Sequence, residues 1–221
     1  MARAFYLTGT AFLFVALVLS FLGSISLPYL RALDYTRVVF SGPLLSGTDS
    51  LTEVRWGIWG PCLYDNKQPK CFHTGHAYAV PLITREGQEV IIGASWTRGL
   101  AIHPVVTAIV AVAFGFAASK HEHGSLIASL MSFFAAFMLL IAFAIDIALF
   151  AFVHHEVGKL RNVDGNVNAG SAFWMTLVEL ILVLLAGCTV CFGRRKEGKT
   201  DSYPMFTNPS AGGFFSRFRK N

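Results

Sequence analysis

The sequence contains few charged residues for its length. Asp, Glu, Lys and Arg together make up 14% of its 221 residues, whereas soluble domains carry roughly 25%. Hydrophobic residues make up 54%, and phenylalanine alone occurs 20 times. A soluble core of this size cannot bury so much apolar surface, so the composition excludes an ordinary soluble domain and favours a membrane protein.

Cysteine and catalytic motifs are also scarce. Four cysteines are too few for a disulfide-dense secreted scaffold. The sequence has no P-loop, no G-x-S-x-G, no H-E-x-x-H and no dinucleotide fingerprint. We therefore expect no enzymatic activity, no catalytic residue, no cofactor, no metal site and no small-molecule substrate. The net charge of +5 suits Lys and Arg at membrane borders rather than nucleic-acid binding.

Four apolar segments are long enough to cross a bilayer, which takes roughly 20 residues in a helix. They are residues 4–27, 100–119, 125–153 and 171–192. A cleaved signal peptide is the alternative for the first segment, but its apolar core would be shorter. Along the second segment, small residues at every fourth position predict a seam for a neighbouring helix, although such residues are common in membrane helices anyway. The seam consists of Thr107, Ala111, Gly115 and Ser119.

The charges that flank these segments predict the orientation. Arg194, Arg195 and Lys196 directly follow the last span, which favours the cytoplasm for the tail of residues 193–221. Residues 1–3 and the turn of residues 120–124 then lie on the same side. Residues 28–99 and the polar loop of residues 154–170 lie outside. We expect a multi-pass plasma-membrane protein with both termini in the cytoplasm.

The long loop of residues 28–99 contains short runs rich in β-branched and aromatic residues, separated by turn residues. This pattern predicts a small antiparallel sheet, and a disordered loop is the alternative. Cys62 and Cys71 are nine positions apart, a spacing that suits a disulfide closing a hairpin. Metal binding together with His73 and His76 is the other interpretation, although the spacing is not typical of zinc sites.

The segment around the first of these cysteines reads W-G-I-W-G-P-C over residues 56–62. With Cys71 it resembles the G-[LI]-W-x-x-C…C pattern in the first extracellular loop of claudin-like tetraspan proteins. That resemblance implies a membrane four-helix transmembrane bundle, all-α within the bilayer, with a small extracellular antiparallel β-sheet. It also implies that Trp56, Gly57, Trp59 and Gly60 form the structural centre of the extracellular module.

Three further elements are similar to the fungal PalI family, which is related to the Sur-seven proteins. They are His103-Pro104 at the start of the second span, residues 146–150 (D-I-A-L-F) in the third, and residues 172–174 (A-F-W) at the start of the fourth. The resemblance implies a non-enzymatic plasma-membrane accessory or scaffold protein. Such proteins serve an ambient-pH signalling complex or organise cortical membrane domains such as eisosomes. An auxiliary subunit of a larger membrane transporter, ATPase or cell-wall synthase is the alternative.

Ionisable groups inside the spans are expensive in lipid and are expected to face the bundle interior. His103, Asp146 and Glu179 fall at similar depths in three spans. They form a predicted intramembrane polar cluster with three interpretations: a hydrogen-bonded link between helices, a proton-responsive group, or a contact for a partner's helices. A small transporter that uses Asp146 and Glu179 is a further alternative. Cys188 and Cys191, at the end of the last span, suit either S-acylation or simple packing.

These observations together define the expected partners. The lipid bilayer is one, and the other is a second integral membrane protein or another copy of this chain.

Overall fold

The structure is a computed structural model that describes residues 2–46, 49–65, 68–84, 87–119, 124–160 and 164–200. Within these ranges, four helical stretches have the length and apolar composition needed to cross a membrane. They are Tyr6–Ser24, Ala94–Ala118, Leu126–Val157 and Ser171–Thr189. The prediction of a multi-pass membrane protein with four spans and a small antiparallel sheet is therefore confirmed at this level.

The spans belong to a bundle in which each helix contacts two neighbours. Helix α1 covers Ala2–Ser24, α3 covers Ile102–Ala118, α4 covers Gly124–Val157 and α5 covers Ser171–Thr200. Going round the bundle, α1 contacts α3, α3 contacts α4, α4 contacts α5, and α5 returns to α1. Large apolar side chains on the outside of each helix are exposed, as lipid-facing surfaces require.

The second span begins earlier than its hydrophobicity predicts. The short helix α2 (Ala94–Arg98) and one 3₁₀ turn (Gly99–Ala101) lead directly into α3. Pro104 occupies the first turn of α3, where its missing N–H is tolerated. Gly99 is required here because a Cβ atom at this position would collide with the side chain of Ile145 on α4.

Seven strands form one antiparallel sheet at the end of the bundle where α1 and α4 finish and α2 and α5 begin. Their bounds are β1 Thr36–Ser46, β2 Asp49–Trp56, β3 Pro61–Asp65, β4 Gln68–Cys71, β5 Val80–Ile83, β6 Glu89–Ile92 and β7 Gly165–Ala169. The main order is β4-β3-β2-β1-β5-β6, and β7 also pairs with β1. Strand β1 is long enough to pair with both: its first half lies opposite β7, and Leu45 near its end lies opposite Ile83 of β5. On its other edge β1 pairs with β2, with a register shift between Val39 and Leu44.

Strand β7 lies in residues 154–170, which the sequence pattern predicts to be only a polar loop. It pairs with β1 from Thr36 opposite Ala169 to Phe40 opposite Gly165. Both loops on this side of the bundle are consequently part of one sheet. Gly165 fits against Phe40 and Val157, where an added Cβ would collide with Val157 and make a tight contact with Phe40.

The sheet and the bundle share a continuous core rather than meeting at a solvated boundary. Fully buried side chains from the strands, including Val38, Val54 and Trp56, pack with Leu149 and Val153 near the end of α4. Below this layer, two apolar clusters fill the bundle between α1, α3, α4 and α5. The sheet is therefore held rigidly against the helices that carry the ionisable residues.

Candidate functional site

The three ionisable residues predicted to lie together are all buried near the sheet end of the bundle. His103 lies in the first turn of α3, Asp146 in α4 and Glu179 in α5, and their exposed fractions are 4%, 1% and 3%. Nε2 of His103 lies 3.1 Å from Oδ1 of Asp146, which is hydrogen-bonding distance. The predicted cluster thus includes a direct polar link between the second and third spans.

Glu179 faces a hydroxyl group on α1 that belongs to a short series of polar contacts, which the sequence did not indicate. The hydroxyl of Ser20, on α1, faces its carboxyl group. Oγ of Ser20 lies 2.9 Å from Oγ1 of Thr107 on α3, and Oγ1 of Thr107 is in turn 3.0 Å from the carbonyl oxygen of His103. Polar groups from all four membrane helices therefore meet at one level of the bundle.

One oxygen on each acidic side chain remains without a partner. Oδ2 of Asp146 and Oε1 of Glu179 are buried and make no hydrogen bond to any residue within the described ranges. An unsatisfied buried polar atom is costly, so this site is held in place by the surrounding structure. Chemically, the arrangement can link helices, and its two lone oxygens could hold a proton.

Tyr35 closes the cluster on the side of the sheet. It lies just before β1, is 1% exposed, and its ring centroid is 4.6 Å from that of His103. Burial raises the pKa of Tyr35 well above its ordinary value, and the nearby charges of Asp146 and Glu179 raise it further. The neutral phenol therefore couples the sheet to the intramembrane cluster. No motif marks Tyr35 in the sequence, because it stands in a polar loop.

The W-G-I-W-G-P-C segment fastens the sheet to the end of α1. Trp56 is fully buried, and Nε1 of Trp59 donates a 2.7 Å hydrogen bond to the carbonyl oxygen of Ser24. Gly57 lies against Leu27, where an added Cβ would overlap both backbone and side chain. Gly60 is equally constrained, because a Cβ there would strike the carbonyl oxygen of Phe72. The motif residues thus dock the sheet on the membrane helices.

The backbone of this segment is held by two buried side chains. The hydroxyl of Tyr78 donates a 2.6 Å hydrogen bond to the carbonyl oxygen of Gly57, and it also accepts one from the Gly57 N–H at 3.2 Å. The N–H of Ile58 donates to Oγ of Ser26 at 3.1 Å. These bonds satisfy the backbone polar groups that the tight glycine turn removes from the sheet ladder.

The predicted disulfide between Cys62 and Cys71 is present. The two residues are directly opposite each other in the β3–β4 hairpin, with their Cα atoms 4.1 Å apart. The ring of His73 packs edge-on against Tyr29 at a centroid distance of 5.3 Å. Among the residues that the structure describes, no group of three or more His, Cys, Asp or Glu could hold a metal ion.

The predicted small-residue seam does not pack within the chain as expected. Thr107 contacts α1 through Ser20, but Ala111 and Gly115 are exposed, and a Cβ added to Gly115 would meet no atom within 4 Å. The residues of α3 that face its neighbours form a different stripe, which consists of His103, Val106, Val110, Ala113 and Ala117. As a seam between helices of this chain the prediction is wrong beyond Thr107. Ser119 ends the helix and is half-buried.

The cysteine pair of the last span is only partly described. Cys188 is a free thiol, half-buried on α5. Cys191 also lies in α5, which continues to Thr200, but its side chain falls outside the described part of the chain. S-acylation of the two residues stays a prediction. Residues 201–221 of the predicted cytoplasmic tail also lie outside the described residues.

No protein-family model matches the chain, and neither does any curated protein.

Proposed function

We propose that this chain is a non-enzymatic accessory or scaffold protein of the plasma membrane, similar to the PalI and Sur-seven proteins, with a claudin-like arrangement of bundle and outer sheet. The observation that supports it best is the single sheet, to which both loops on one side of the bundle contribute. A rigid module of this kind, joined to four spans through a shared core, is suited to presenting a fixed surface to another membrane protein.

The orientation in this proposal places the sheet outside the cell and both termini in the cytoplasm. The disulfide between Cys62 and Cys71 supports it, because disulfides form and persist in oxidising compartments. The run of Arg194, Arg195 and Lys196 follows the last span at the opposite end of the bundle, as cytoplasmic flanks do.

The β5–β6 hairpin provides a surface for such a partner. On one face of the hairpin Val80 and Leu82 are buried, whereas Ile83 and Ile91 on the other face are 37% and 55% exposed. Strand β6 is also an edge strand, with backbone groups open to a further strand. An exposed apolar face beside an open edge suits protein contact.

The polar cluster serves the same function as a link that fixes the helices under the sheet. The direct His103–Asp146 contact supports this interpretation. To test it against proton sensing, Asp146→Asn is compared with the natural chain in complex assembly and in the cellular response to ambient pH. Lost assembly at every pH supports the link, whereas normal assembly with a lost pH response supports sensing. If neither changes, both roles are wrong.

The experiment that tests the overall proposal is purification of the full chain in gentle detergent, followed by mass spectrometry of the proteins that accompany it. A pH-signalling membrane protein, or stable patches of the chain itself seen by fluorescence microscopy, is the expected result. A stoichiometric transporter, ATPase or cell-wall synthase would instead identify an auxiliary subunit.

Variants of the hairpin sharpen this test. Ile91→Glu is expected to remove the partner from the purified material while the chain keeps its thermal stability, because Ile91 is mostly exposed. Val39→Glu is the matched control, since Val39 is a comparable exposed apolar residue on β1, in another part of the sheet. Equal loss in both variants would exclude a specific contact at the hairpin.

A further inference from the structure

A groove of about 310 Å³ lies where the end of α1, the start of α3 and the sheet meet. Its walls are formed by Ser24, Ile25, Tyr29, Trp59 and Pro104. The volume is at the lower end of the roughly 300–1,000 Å³ typical of ligand pockets. We call it the boundary groove.

The boundary groove lies at the level where the membrane ends. Ser24 is the last residue of α1 and of the first span, and Pro104 stands in the first turn of α3. On the same two helices, Phe21 lies three positions before Ser24 and Val105 directly follows Pro104, and these two side chains are 55% and 51% exposed. Apolar side chains are therefore exposed next to the groove on both helices, on surfaces that would face hydrocarbon in a bilayer.

The walls combine a fixed apolar side with polar groups at the mouth. The hydrogen bond from Nε1 of Trp59 to the carbonyl oxygen of Ser24 holds the indole ring in place as one wall. Tyr29 is 64% exposed, and its ring contacts that of His73, which is also exposed. Phenol and imidazole groups donate hydrogen bonds, and a lipid phosphate offers several acceptor oxygens.

We propose that the boundary groove binds one bilayer phospholipid, with part of one hydrocarbon chain between Ile25, Trp59 and Pro104 and the phosphate against Tyr29 and His73. The volume of the groove suits a segment of one hydrocarbon chain and not a whole lipid molecule. Tyrosine and tryptophan at this height are suited to the task, because each has an apolar ring and a polar tip. The bound lipid would join the sheet to the bilayer surface.

Trp59 provides a built-in reporter for the test. In a chain carrying Trp96→Phe and Trp174→Phe, the remaining tryptophans are Trp59 and the fully buried Trp56. This full-length variant is titrated in detergent micelles with phosphatidylcholine that carries bromine on one acyl chain. Bromine quenches tryptophan only at short range. We expect saturable quenching of Trp59 that unlabelled phosphatidylcholine reverses.

Two substitutions then separate the groove from general contact with lipid. Tyr29→Ala is expected to raise the apparent Kd for the brominated lipid about tenfold, because an aromatic wall and its hydroxyl are lost. Phe21→Ala is the matched control, since Phe21 faces lipid just below the groove, and its Kd should stay unchanged. Native mass spectrometry checks the result without tryptophan replacements. The natural chain should retain a bound phospholipid more strongly than Tyr29→Ala.

Several results would overturn the proposal. Quenching that rises in proportion to lipid without saturation would indicate only general lipid contact, as would equal effects of Tyr29→Ala and Phe21→Ala. Quenching by a brominated sterol but not by the phospholipid would assign the groove to a different lipid. A photoreactive residue in place of Ile25 that captures only protein in native membranes would show that a partner fills it.

Discussion

Nε2 of His103 and Oδ1 of Asp146 lie 3.1 Å apart, and this contact joins the first turn of α3 to α4 immediately below the sheet. Tyr35 rests on the same imidazole from the side of the sheet. His103 is thus the point at which the sheet and two membrane helices meet. Loss of the contact between His103 and Asp146 should therefore lower the stability of both the bundle and the sheet.

Removing one partner of this pair should destabilise the bundle. Asp146→Ala leaves His103 buried without its carboxylate, and such unsatisfied groups cost about 1–3 kcal/mol. Polar contacts between membrane helices are often weaker than this, so the lower part of the range is expected. Unfolding of the purified chain by a denaturing detergent, followed by circular dichroism, gives the free-energy difference.

A double variant separates the interaction between His103 and Asp146 from the effect of replacing either side chain alone. His103→Phe combined with Asp146→Leu removes both polar groups and should recover part of the stability lost in Asp146→Ala, because no group is left unpaired. Ile147→Ala, next to Asp146 but 45% exposed, controls for a change in helix surface alone. The same two substitutions are also measured singly, and strictly additive losses in the double variant would argue against a direct interaction.

The sequence was sufficient to predict much of this arrangement. Long apolar runs predict the four spans because a helix of about 20 residues crosses the bilayer and satisfies its own backbone polar groups. The depth of His103, Asp146 and Glu179 follows from counting residues along those helices. Which of the three touch could not be predicted, because it depends on how α3, α4 and α5 rotate about their own axes.

Strand β7 and the packing face of α3 could not be predicted from the sequence, for two different physical reasons. Residues 165–169 read G-N-V-N-A and contain one large apolar residue, Val167, so their pairing depends on the free edge of β1 and not on local propensity. Beyond Thr107, the predicted seam lies on a different face of α3 from the residues that pack against the neighbouring helices. Small residues permit close packing on any face, whereas the buried stripe through Val106 and Val110 is set by the positions of α1 and α4.

The disulfide of the β3–β4 hairpin should contribute to the stability of the sheet. Cys62→Ser with Cys71→Ser is expected to lower the free energy of unfolding by about 2–3 kcal/mol, since the bond closes a loop of nine positions. Thermal unfolding monitored by tryptophan fluorescence measures the loss. Cys188→Ser should leave the midpoint unchanged, because that thiol is free on α5. A reductant should lower the midpoint of the natural chain and have no effect on the double variant.

The glycines of the motif should tolerate no side chain. Gly57→Ala and Gly60→Ala each force a Cβ into occupied space against Leu27 or Phe72, and such overpacking costs about 1–3 kcal/mol. Gly115→Ala is the opposite case, because the position is open and lies within a helix, where alanine is favoured by about 0.5–1 kcal/mol. The melting temperature should fall for Gly57→Ala and Gly60→Ala and rise for Gly115→Ala. Similar shifts in all three would contradict the close contacts at Gly57 and Gly60.

Tyr78 should make the sheet sensitive to strongly alkaline pH. Burial raises the pKa of its hydroxyl above the ordinary value, so the folded chain favours the neutral form more than the unfolded chain does. The stability that follows is fully present below the unfolded pKa of about 10 and is lost as the pH rises through the higher folded value. The midpoint of thermal unfolding should therefore decrease as the pH is raised above about 10.

Tyr78→Phe provides the comparison for this pH dependence. The variant loses two hydrogen bonds to Gly57 and should be less stable at neutral pH, but its stability should fall less steeply in alkali. The remaining slope includes Tyr35, whose pKa is raised by burial and by neighbouring carboxyl groups. Ultraviolet difference absorbance should show that the tyrosinate of Tyr78 forms only when the chain unfolds. Ionisation of all six tyrosines with the fold intact would show that Tyr78 is open to solvent.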